Sequence, residues 1–375
     1  MTAAGHALRI DAFGGGQTVR AVQAAARQVE DVGFDGLWIP EGAAPAFSLA
    51  AVAAAATDRL MLGTGIAVAF ARSPMVTAQA AWMLAEATEG RFVLGLGTQV
   101  KAHVERRYSM PFDPPGPRLR EYVQALRAIF AAFAREERLA FAGDHYGFSL
   151  LPETWAPDPL PYPAPPIHLA GVRPYMCRMI GEVADGIKVH PLHTVAYLDG
   201  LVRPNLVAGA ERAGRSADEL EVVCPVMTAV ADDERSLAEQ RERLRERLAF
   251  YGSTPGYGVV FDSSGWPGVG ERLHELARAG RHEEATALVT DEMVDAMAVT
   301  TTWAELPAAL VAKYRGRATR LVCYSTLKQW ETDPESVDRW RDVVRDVRRL
   351  GEDPAGPPAP QARHEPPRRA PDGSR

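Results

Sequence analysis

The stretch GRFVLGLGTQVKAHVERR, residues 90–107, contains one strand-and-helix unit and decides the fold class. Residues 91–98 are almost entirely apolar after the first arginine, whereas the residues that follow form a charged helical segment. A strand that is apolar on both faces is typical of a parallel sheet covered by helices. The stretch therefore predicts a βα unit, with Gly97, Thr98 and Gln99 at the turn between the strand and the helix.

The same alternation of strand and helix extends in both directions along the chain. Eight apolar strand segments are each followed by a helical segment. The strand segments are residues 8–13, 36–42, 59–70, 91–98, 166–171, 186–191, 220–230 and 320–327. Eight βα units are the number that closes a (β/α)8, or TIM, barrel. We therefore predict a single α/β barrel over residues 1–350.

Three segments do not fit a minimal barrel. Residues 139–165, after the fourth strand, predict a hairpin and a proline-rich loop. Residues 251–300, after the seventh helix, predict a loop and short helices. Long insertions in a compact domain are usually lids or interface elements. Residues 351–375 are rich in proline and arginine and are predicted to be a disordered tail.

The composition limits the classes of function. The chain has 375 residues, a formal net charge of −6 and only three cysteines. An acidic chain of this kind does not suggest nucleic-acid binding. The cysteines form no CxxC motif, and the first ten residues do not resemble a secretory signal. We therefore expect a cytoplasmic protein, and no stretch is apolar for long enough to span a membrane.

The active site of a barrel of this kind lies at the carboxyl ends of its strands. Those ends carry mainly small residues and few charges. There is no HxH motif near the first strand and no cluster of carboxylates, so we predict no metal site. His190 and His193 have a spacing that suits metal ligands, but the sequence offers no third ligand beside them.

Several stretches resemble the bacterial luciferase-like superfamily of flavin- and deazaflavin-dependent oxidoreductases. They are GFDGLWIPEG (33–42), LGTGIAVAFARSPMVTAQ (62–79), GRFVLGLGTQVKAHVERRYSMPF (90–112) and PIHLAGVRPYMCRMIGEVADG (166–186). Residues 248–266 are also similar to an actinobacterial-type subgroup assigned to coenzyme F420. The resemblance covers the chain from the first strand through the eighth.

The resemblance implies hydride transfer between reduced coenzyme F420 and a small organic substrate. Two alternatives from the same family are an FMN-dependent monooxygenase and a barrel that binds a flavin or deazaflavin without catalysis. A third alternative, outside redox chemistry, is a metal-independent lyase or isomerase. That alternative needs a base at the mouth, and Lys188 on the sixth strand is expected to point outward. The family also implies a possible homodimer.

The resemblance places the cofactor at three strand ends. The implied cofactor-binding residues are Gly65, Ile66, Ala67, Gly97, Thr98, Gln99, Ala170, Gly171, Val172 and Arg173. Relatives carry a cis peptide at the position of Gly65–Ile66, behind the cofactor ring. The cofactor phosphate is implied at residues 171–173, where a helix begins. For Thr98, an alternative interpretation is a helix N-cap.

Glu41 ends the second strand and is the one implied catalytic residue. By resemblance it lies near the cofactor ring, where it accepts a hydrogen bond or relays a proton. The general acid and base of sugar-phosphate dehydrogenases in the family are missing, because Gly42 and Val100 stand at those positions. The sequence therefore argues against that activity.

Phe13, Phe70 and His190 lie at strand ends and are predicted to line the substrate pocket. A packing or capping role for His190 is an equal alternative. Lys101, Arg106 and Arg107 follow the fourth strand and, together with Arg173, are predicted to form a positive rim. Such a rim favours coenzyme F420 over FMN, because F420 carries more carboxylates. The alternative is a solvated helix face.

Overall fold

The computed structural model describes residues 8–14, 16, 18–324 and 326–352, and it shows a closed barrel of parallel strands. The strands are β1 (Arg9–Phe13), β2 (Gly36–Ile39), β3 (Met61–Thr64), β4 (Ala67–Val68), β5 (Phe92–Gly97), β6 (Phe141–Ala142), β7 (Gly147–Phe148), β8 (Ile167–Ala170), β9 (Gly186–Lys188), β10 (Glu221–Val230), β11 (Ala298–Thr301) and β12 (Arg320–Cys323). Eight of them form the barrel in the order β1-β2-β3-β5-β8-β9-β10-β12, and β12 closes it by pairing with β1. The predicted TIM barrel is confirmed.

Helices surround the barrel and cover its outer apolar face. They are α1 (Val19–Val32), α2 (Ala46–Ala54), α3 (Pro74–Ala87), α4 (Lys101–Arg107), α5 (Pro115–Phe133), α6 (Pro174–Val183), α7 (Val195–Tyr197), α8 (Arg203–Arg212), α9 (Glu234–Gly252), α10 (Gly258–Asp262), α11 (Val269–Arg278), α12 (His282–Leu288), α13 (Asp291–Met297), α14 (Leu306–Tyr314), α15 (Thr326–Thr332) and α16 (Ser336–Glu352). None of these helices is both long and apolar enough to cross a membrane.

The inside of the barrel combines a small apolar cluster with buried charges. Trp38, Val93, Val223 and Val322 form that cluster, which is separate from the main core between strands and helices. Asp11 accepts two hydrogen bonds from Arg320, at 2.7 and 2.8 Å, and both side chains are almost completely buried. The indole Nε1 of Trp38 also donates to Asp11, at 2.8 Å. The ion pair and the indole hydrogen bond therefore link the neighbouring strands β12, β1 and β2 inside the barrel.

Both predicted insertions contain ordered structure. In residues 139–165, β6 and β7 form the expected antiparallel hairpin. In residues 251–300, α10 to α13 are followed by β11, a strand that the sequence did not predict. β11 pairs with the second half of the long strand β10, whereas β12 pairs with its first half. The AVTT sequence of β11 follows a helix directly, so no turn residues mark its beginning.

The predicted tail begins within a helix. α16 includes Gly351 and Glu352, so these two residues are helical. The rest of the predicted disordered tail, residues 353–375, lies outside the described residues.

Candidate cofactor site

Three of the strand ends singled out in the sequence meet at Gly97. A Cβ atom added to Gly97 would lie 3.0 Å from Cδ1 of Ile66 and 3.3 Å from Cβ of Ala170. The strands that carry these residues are neighbours in the barrel, because β5 pairs with both β4 and β8. The turns at 65–67, 97–99 and 170–173 therefore lie side by side, and glycine at position 97 allows Ile66 and Ala170 to approach this strand closely.

The first glycine of the same strand has a different role. A Cβ atom on Gly95 would lie 1.9 Å from the carbonyl oxygen of Thr64 on β3. The Thr64 hydroxyl donates to the Gly95 carbonyl at 2.7 Å and accepts from its N–H at 2.9 Å. Gly95 is therefore required for close approach of two strands, whereas Gly97 faces the mouth.

The peptide bond between Gly65 and Ile66 is cis, as the resemblance implied. It separates β3 from β4, so the single strand predicted over 59–70 is interrupted at this point. The Ile66 carbonyl accepts a hydrogen bond from the N–H of Glu41 at 3.3 Å, and the N–H of Gly65 donates to Ile39 at 2.8 Å. The end of β2 thus holds the turn on both sides of the cis bond.

The turn after β8 leads into α6, and the start of this helix has no side-chain cap. Arg173 is the N-cap residue and Pro174 is the first helical residue. Helix starts of this kind bind anions through free N–H groups and a favourable dipole. The exposed guanidinium of Arg173 packs beside Gly256, whose added Cβ would lie 3.5 Å from it. The second insertion therefore reaches this turn.

Gly171 is constrained by packing as well as by its place in the turn. A Cβ atom on Gly171 would lie 2.6 Å from Cδ1 of Ile180. A larger residue at position 171 would therefore disturb α6 itself, so Arg173 is the better residue for testing anion binding.

Thr98 does not cap the following helix. Its hydroxyl donates to the Gln99 carbonyl at 3.0 Å, and the N-cap of α4 is Val100, which forms no side-chain cap. The N-cap interpretation of Thr98 is therefore wrong. Gln99 has a φ of 62°, in the left-handed region, and its side-chain oxygen accepts from the N–H of Val100 at 3.1 Å. The turn is thus fixed by its own hydrogen bonds, and Thr98 remains partly exposed at the mouth.

Glu41 is engaged in structural contacts. Its carboxylate forms an ion pair with Arg72 and accepts a hydrogen bond from the N–H of Val68 at 2.6 Å. Only 4% of its side chain is exposed. These contacts tie the end of β2 to β4, so in this structure the carboxylate positions the 65–68 turn. Its predicted catalytic role stays a prediction.

Phe70 does not line the open mouth, contrary to the sequence prediction. Its side chain is completely buried, with Phe112 at 6.1 Å between ring centroids. The guanidinium of Arg118 lies 4.6 Å from the centre of the Phe70 ring and also donates to the Tyr146 hydroxyl in the first insertion. Arg118 covers the Phe70 ring and is held there by Tyr146, which the sequence around residue 70 cannot reveal.

An aromatic wall, defined here as Phe13, His190, Tyr251, Tyr257 and Tyr324, lies at the ends of β1, β9 and β12 and includes residues of the second insertion. The rings of Phe13 and Tyr324 stack at 4.6 Å, and the hydroxyls of Tyr324 and Tyr251 are 2.8 Å apart. The ring of His190 is 4.2 Å from that of Tyr257 and 5.1 Å from that of Tyr251. Two of its five members come from the second insertion. Their only sequence signal is the segment 248–266, which resembles the F420 subgroup.

The two histidines after β9 differ in their contacts. Nδ1 of His193 lies 2.9 Å from the His190 carbonyl, and Nε2 lies 3.1 Å from the Tyr314 hydroxyl. Both ring nitrogens of His193 are therefore engaged in hydrogen bonds within the protein. Nδ1 of His190 accepts from the N–H of Leu192 at 3.1 Å, so the neutral ring carries its proton on Nε2. The described residues contain no group of three or more candidate metal ligands.

His190 is expected to stay neutral across the physiological pH range. Burial, with a contribution from nearby His193, lowers the pKa of His190 to about 3. We predict that the His190 imidazole resonances in a ¹H–¹³C NMR titration, assigned with His190→Gln, show no protonation step between pH 5 and 8. An exposed histidine would titrate within that range. A step near pH 6.5 that disappears in His190→Gln would show that the ring is solvated and that the aromatic wall is not closed around it.

The predicted positive rim is partly neutralised. Lys101 forms ion pairs with Asp113 and Glu105, and Arg107 donates to the carbonyl of Gly42. Arg106 and Arg173 are exposed. Since Lys101 already has carboxylate partners on the protein, the rim gives weaker support for a carboxylate-rich cofactor than the sequence suggested.

Lys188 points into the barrel, not outward as expected. Its side chain is 4% exposed, and Nζ lies 3.7 Å from the centre of a Trp38 ring. The error arose because β9 is a strand of three residues buried on both faces, which shows no alternation of polar and apolar residues. Register decides the direction: Lys188 pairs with Val223, which belongs to the interior cluster.

The fold and this mouth define a (β/α)8 barrel with its candidate site at the carboxyl ends of the strands. A family model described as luciferase-like monooxygenase matches residues 3–320. The chain belongs to this luciferase-like family.

Known relatives agree with this membership. An uncharacterized protein of Mycobacterium tuberculosis is 42% identical over 292 residues, which cover 78% of this chain and 86% of the relative. A provisionally assigned coenzyme F420-dependent oxidoreductase of the same organism is 30% identical and covers 71% of this chain and 79% of the relative. The structure of a coenzyme F420-dependent tetrahydromethanopterin reductase from Methanopyrus kandleri superposes with a TM-score of 0.71 at 20% identity, over 92% of this chain and 99% of the other. This last likeness supports the fold.

Proposed function

We propose that the protein is an oxidoreductase that transfers a hydride between coenzyme F420 and a small organic substrate. The observation that carries the proposal is the meeting of three strand ends at Gly97, which has no side chain, beside the uncapped start of α6. The provisional F420 assignment of one relative that is 30% identical supports the choice of cofactor. The resemblance of residues 248–266 to the F420 subgroup agrees with it.

The residues present fit such a cofactor. A flat ring needs a floor without side chains, and Gly65 and Gly97 supply it. A phosphate needs N–H donors and a positive charge, and the start of α6 with Arg173 supplies both. The candidate residues at 65–67, 97–99 and 170–173 would hold the cofactor between these two points.

When bound, the deazaflavin would supply or accept the hydride, and the protein would supply orientation and exclusion of water. The aromatic wall would exclude water from the mouth. His190 presents Nε2–H as a donor, so we assign it a hydrogen bond to a carbonyl or hydroxyl oxygen of the substrate. Because its pKa is low, His190 would hold such an oxygen in place as a neutral donor.

The direct test is turnover of reduced F420 with a panel of small carbonyl compounds, followed by the absorbance of the oxidised cofactor. We expect at least one compound to be reduced. F420 binding without turnover across the panel would favour a non-catalytic binding barrel instead.

An FMN-dependent monooxygenase is the second candidate function. The matching family is described by monooxygenase activity, and the partial neutralisation of Lys101 removes one argument for a carboxylate-rich cofactor. Oxygen consumption that depends on reduced FMN and not on F420 would identify this function.

Replacing Arg173 should weaken cofactor binding without affecting the fold. We predict that Arg173→Ala lowers cofactor affinity about tenfold or more, since a hydrogen bond to a charged group contributes about 1.5–3 kcal/mol. The measurement is a fluorescence titration. Arg178→Ala removes another exposed arginine of the same helix and is the matched control, with unchanged affinity expected. If Arg173→Ala bound the cofactor as tightly as the unmodified protein does, the cofactor phosphate would have to bind elsewhere.

A further inference from the structure

Lys188 has a buried amine with no hydrogen-bond partner among the described residues. Its side chain lies directly below the turn that contains the cis peptide. A Cβ atom on Gly65 would be 3.1 Å from Cε of Lys188 and 3.4 Å from Nζ. Neither the family membership nor the proposed reaction gives this lysine a role. An amine without partners in a low-dielectric interior is costly, so its presence under the floor requires an explanation.

The groups that face Lys188 do not neutralise it. Asp11 on β1 is already bound by Arg320 on β12 and by the indole of Trp38. His168 on β8 stacks against the same indole at 5.8 Å, and its Nδ1 also lacks a partner. Asp11 and Arg320 together carry no net charge. Glu221, at the start of β10, is one-third exposed and lies 3.9 Å from Arg320 and 3.5 Å from His168. Lys188 itself forms no ion pair among the described residues.

The charge of Lys188 therefore changes near neutral pH. Burial lowers the pKa of Lys188 to about 7, and Arg320 acts in the same direction. Asp11 and the thiol of Cys224 on β10 oppose this shift. Burial also lowers the pKa of His168, to about 3, so this ring stays neutral while Lys188 titrates. The face of the Trp38 ring supports the ammonium form once a proton is taken up.

We propose that Lys188 takes up a proton from solvent when a ring ligand with anionic character binds on the Gly65–Ile66 turn, and that the resulting ammonium stabilises the negative charge of the ring from below. This inference rests on the proposed function, because it assumes a ring cofactor on that turn. The step is a single proton transfer: one N–H bond forms on the Lys188 amine, and the proton donor in the buffer loses the same proton. Lys188 therefore places a positive charge below the ring and takes no part in the hydride transfer.

Calorimetric titration tests the proton uptake directly. The protein would be titrated with F420 at pH 8 in phosphate, HEPES and Tris, whose ionisation enthalpies differ. The dependence of the observed enthalpy on the buffer gives the number of protons taken up. We expect about 0.5 proton or more per bound cofactor for the unmodified protein, because a group with a pKa near 7 is mostly deprotonated at pH 8 before binding.

Two variants assign the proton to Lys188. Lys188→Met keeps the length of the side chain without the amine and should abolish the uptake, and Lys188→Gln gives the same readout if the first variant is poorly folded. Lys313→Met is the matched control, because Lys313 is also inside the protein but donates to the carbonyls of Asp295 and Ala298. On binding F420, the Lys313→Met variant should take up as many protons as the unmodified protein does.

A spectroscopic readout separates charge from packing. The absorbance of bound F420 gives the pKa of its ring. In the variants without the amine, this pKa should be about one unit or more higher than in the unmodified protein, which corresponds to about tenfold weaker stabilisation of the anionic ring. F420 binding without proton uptake by the unmodified protein would overturn the role of Lys188 and leave the proposed function intact. The absence of F420 binding by the unmodified protein would instead overturn the proposed function, and the proposal for Lys188 with it.

Discussion

Replacement of Gly97 by leucine is expected to abolish tight cofactor binding while the barrel remains folded. The first side-chain carbon would already contact Ile66 and Ala170, so the remaining carbons must extend into the mouth. The atoms nearest to that first carbon belong to side chains, not to backbone, so the fold can adapt. We expect affinity to fall about 10- to 100-fold, because overpacking of one buried group costs about 1–3 kcal/mol and the cofactor ring would meet the new side chain.

The matched control for this prediction is Gly200→Leu. Gly200 is exposed on a helical segment outside the barrel strands, and a Cβ atom there meets nothing within 4 Å. Affinity measured by fluorescence titration should change little in this variant, and circular dichroism should show intact secondary structure in both. If Gly97→Leu bound the cofactor as tightly as the unmodified protein does, the floor would have to lie elsewhere.

Replacement of Asp11 by alanine is expected to destabilise the protein strongly. Arg320 would be left as a buried charge without its partner, and the Trp38 indole would lose its acceptor. Removal of one partner from a buried ion pair costs about 3–5 kcal/mol. The free energy of unfolding from urea denaturation measures the effect.

Asp199→Ala provides the comparison for Asp11. It removes a similar pair with Arg317, at 2.9 Å, in which the aspartate side chain is 44% exposed. An exposed pair contributes only about 0–1 kcal/mol. Similar losses in the two variants would mean that water reaches the interior pair. Asp11→Leu combined with Arg320→Met should recover much of the stability lost in Asp11→Ala, since an apolar replacement leaves no unpaired charge.

The sequence predicts the barrel well because its signals are local. Each apolar strand followed by a helix could be identified independently, and eight repeats of one unit allow one closed arrangement. The three glycine-rich turns could be placed on neighbouring strands for the same reason. Their meeting at Gly97 follows from strand order alone.

The directions and partners of single side chains were harder to predict, because they depend on distant contacts. Glu41 is paired with Arg72, which is 31 positions away in the chain. Phe70 is covered by Arg118, which in turn donates to Tyr146 of the first insertion. Lys188 lies on a strand that is buried on both faces, where register and not composition decides which side chains face inward. The sequence around each of these three residues contains no pattern that predicts its partner or its direction.

The measurement that tests the account most directly is a fluorescence titration of the purified protein, stripped of any bound cofactor, with F420 and FMN under identical conditions. Both cofactors have a ring for the Gly65–Gly97 floor and a phosphate for the turn at Arg173, so the experiment asks which of them this mouth prefers. We expect saturable binding of F420 that is tighter than the binding of FMN. We also expect F420 binding to be weaker in both Gly97→Leu and Arg173→Ala. Tighter binding of FMN, or F420 binding that neither substitution weakens, would contradict this account.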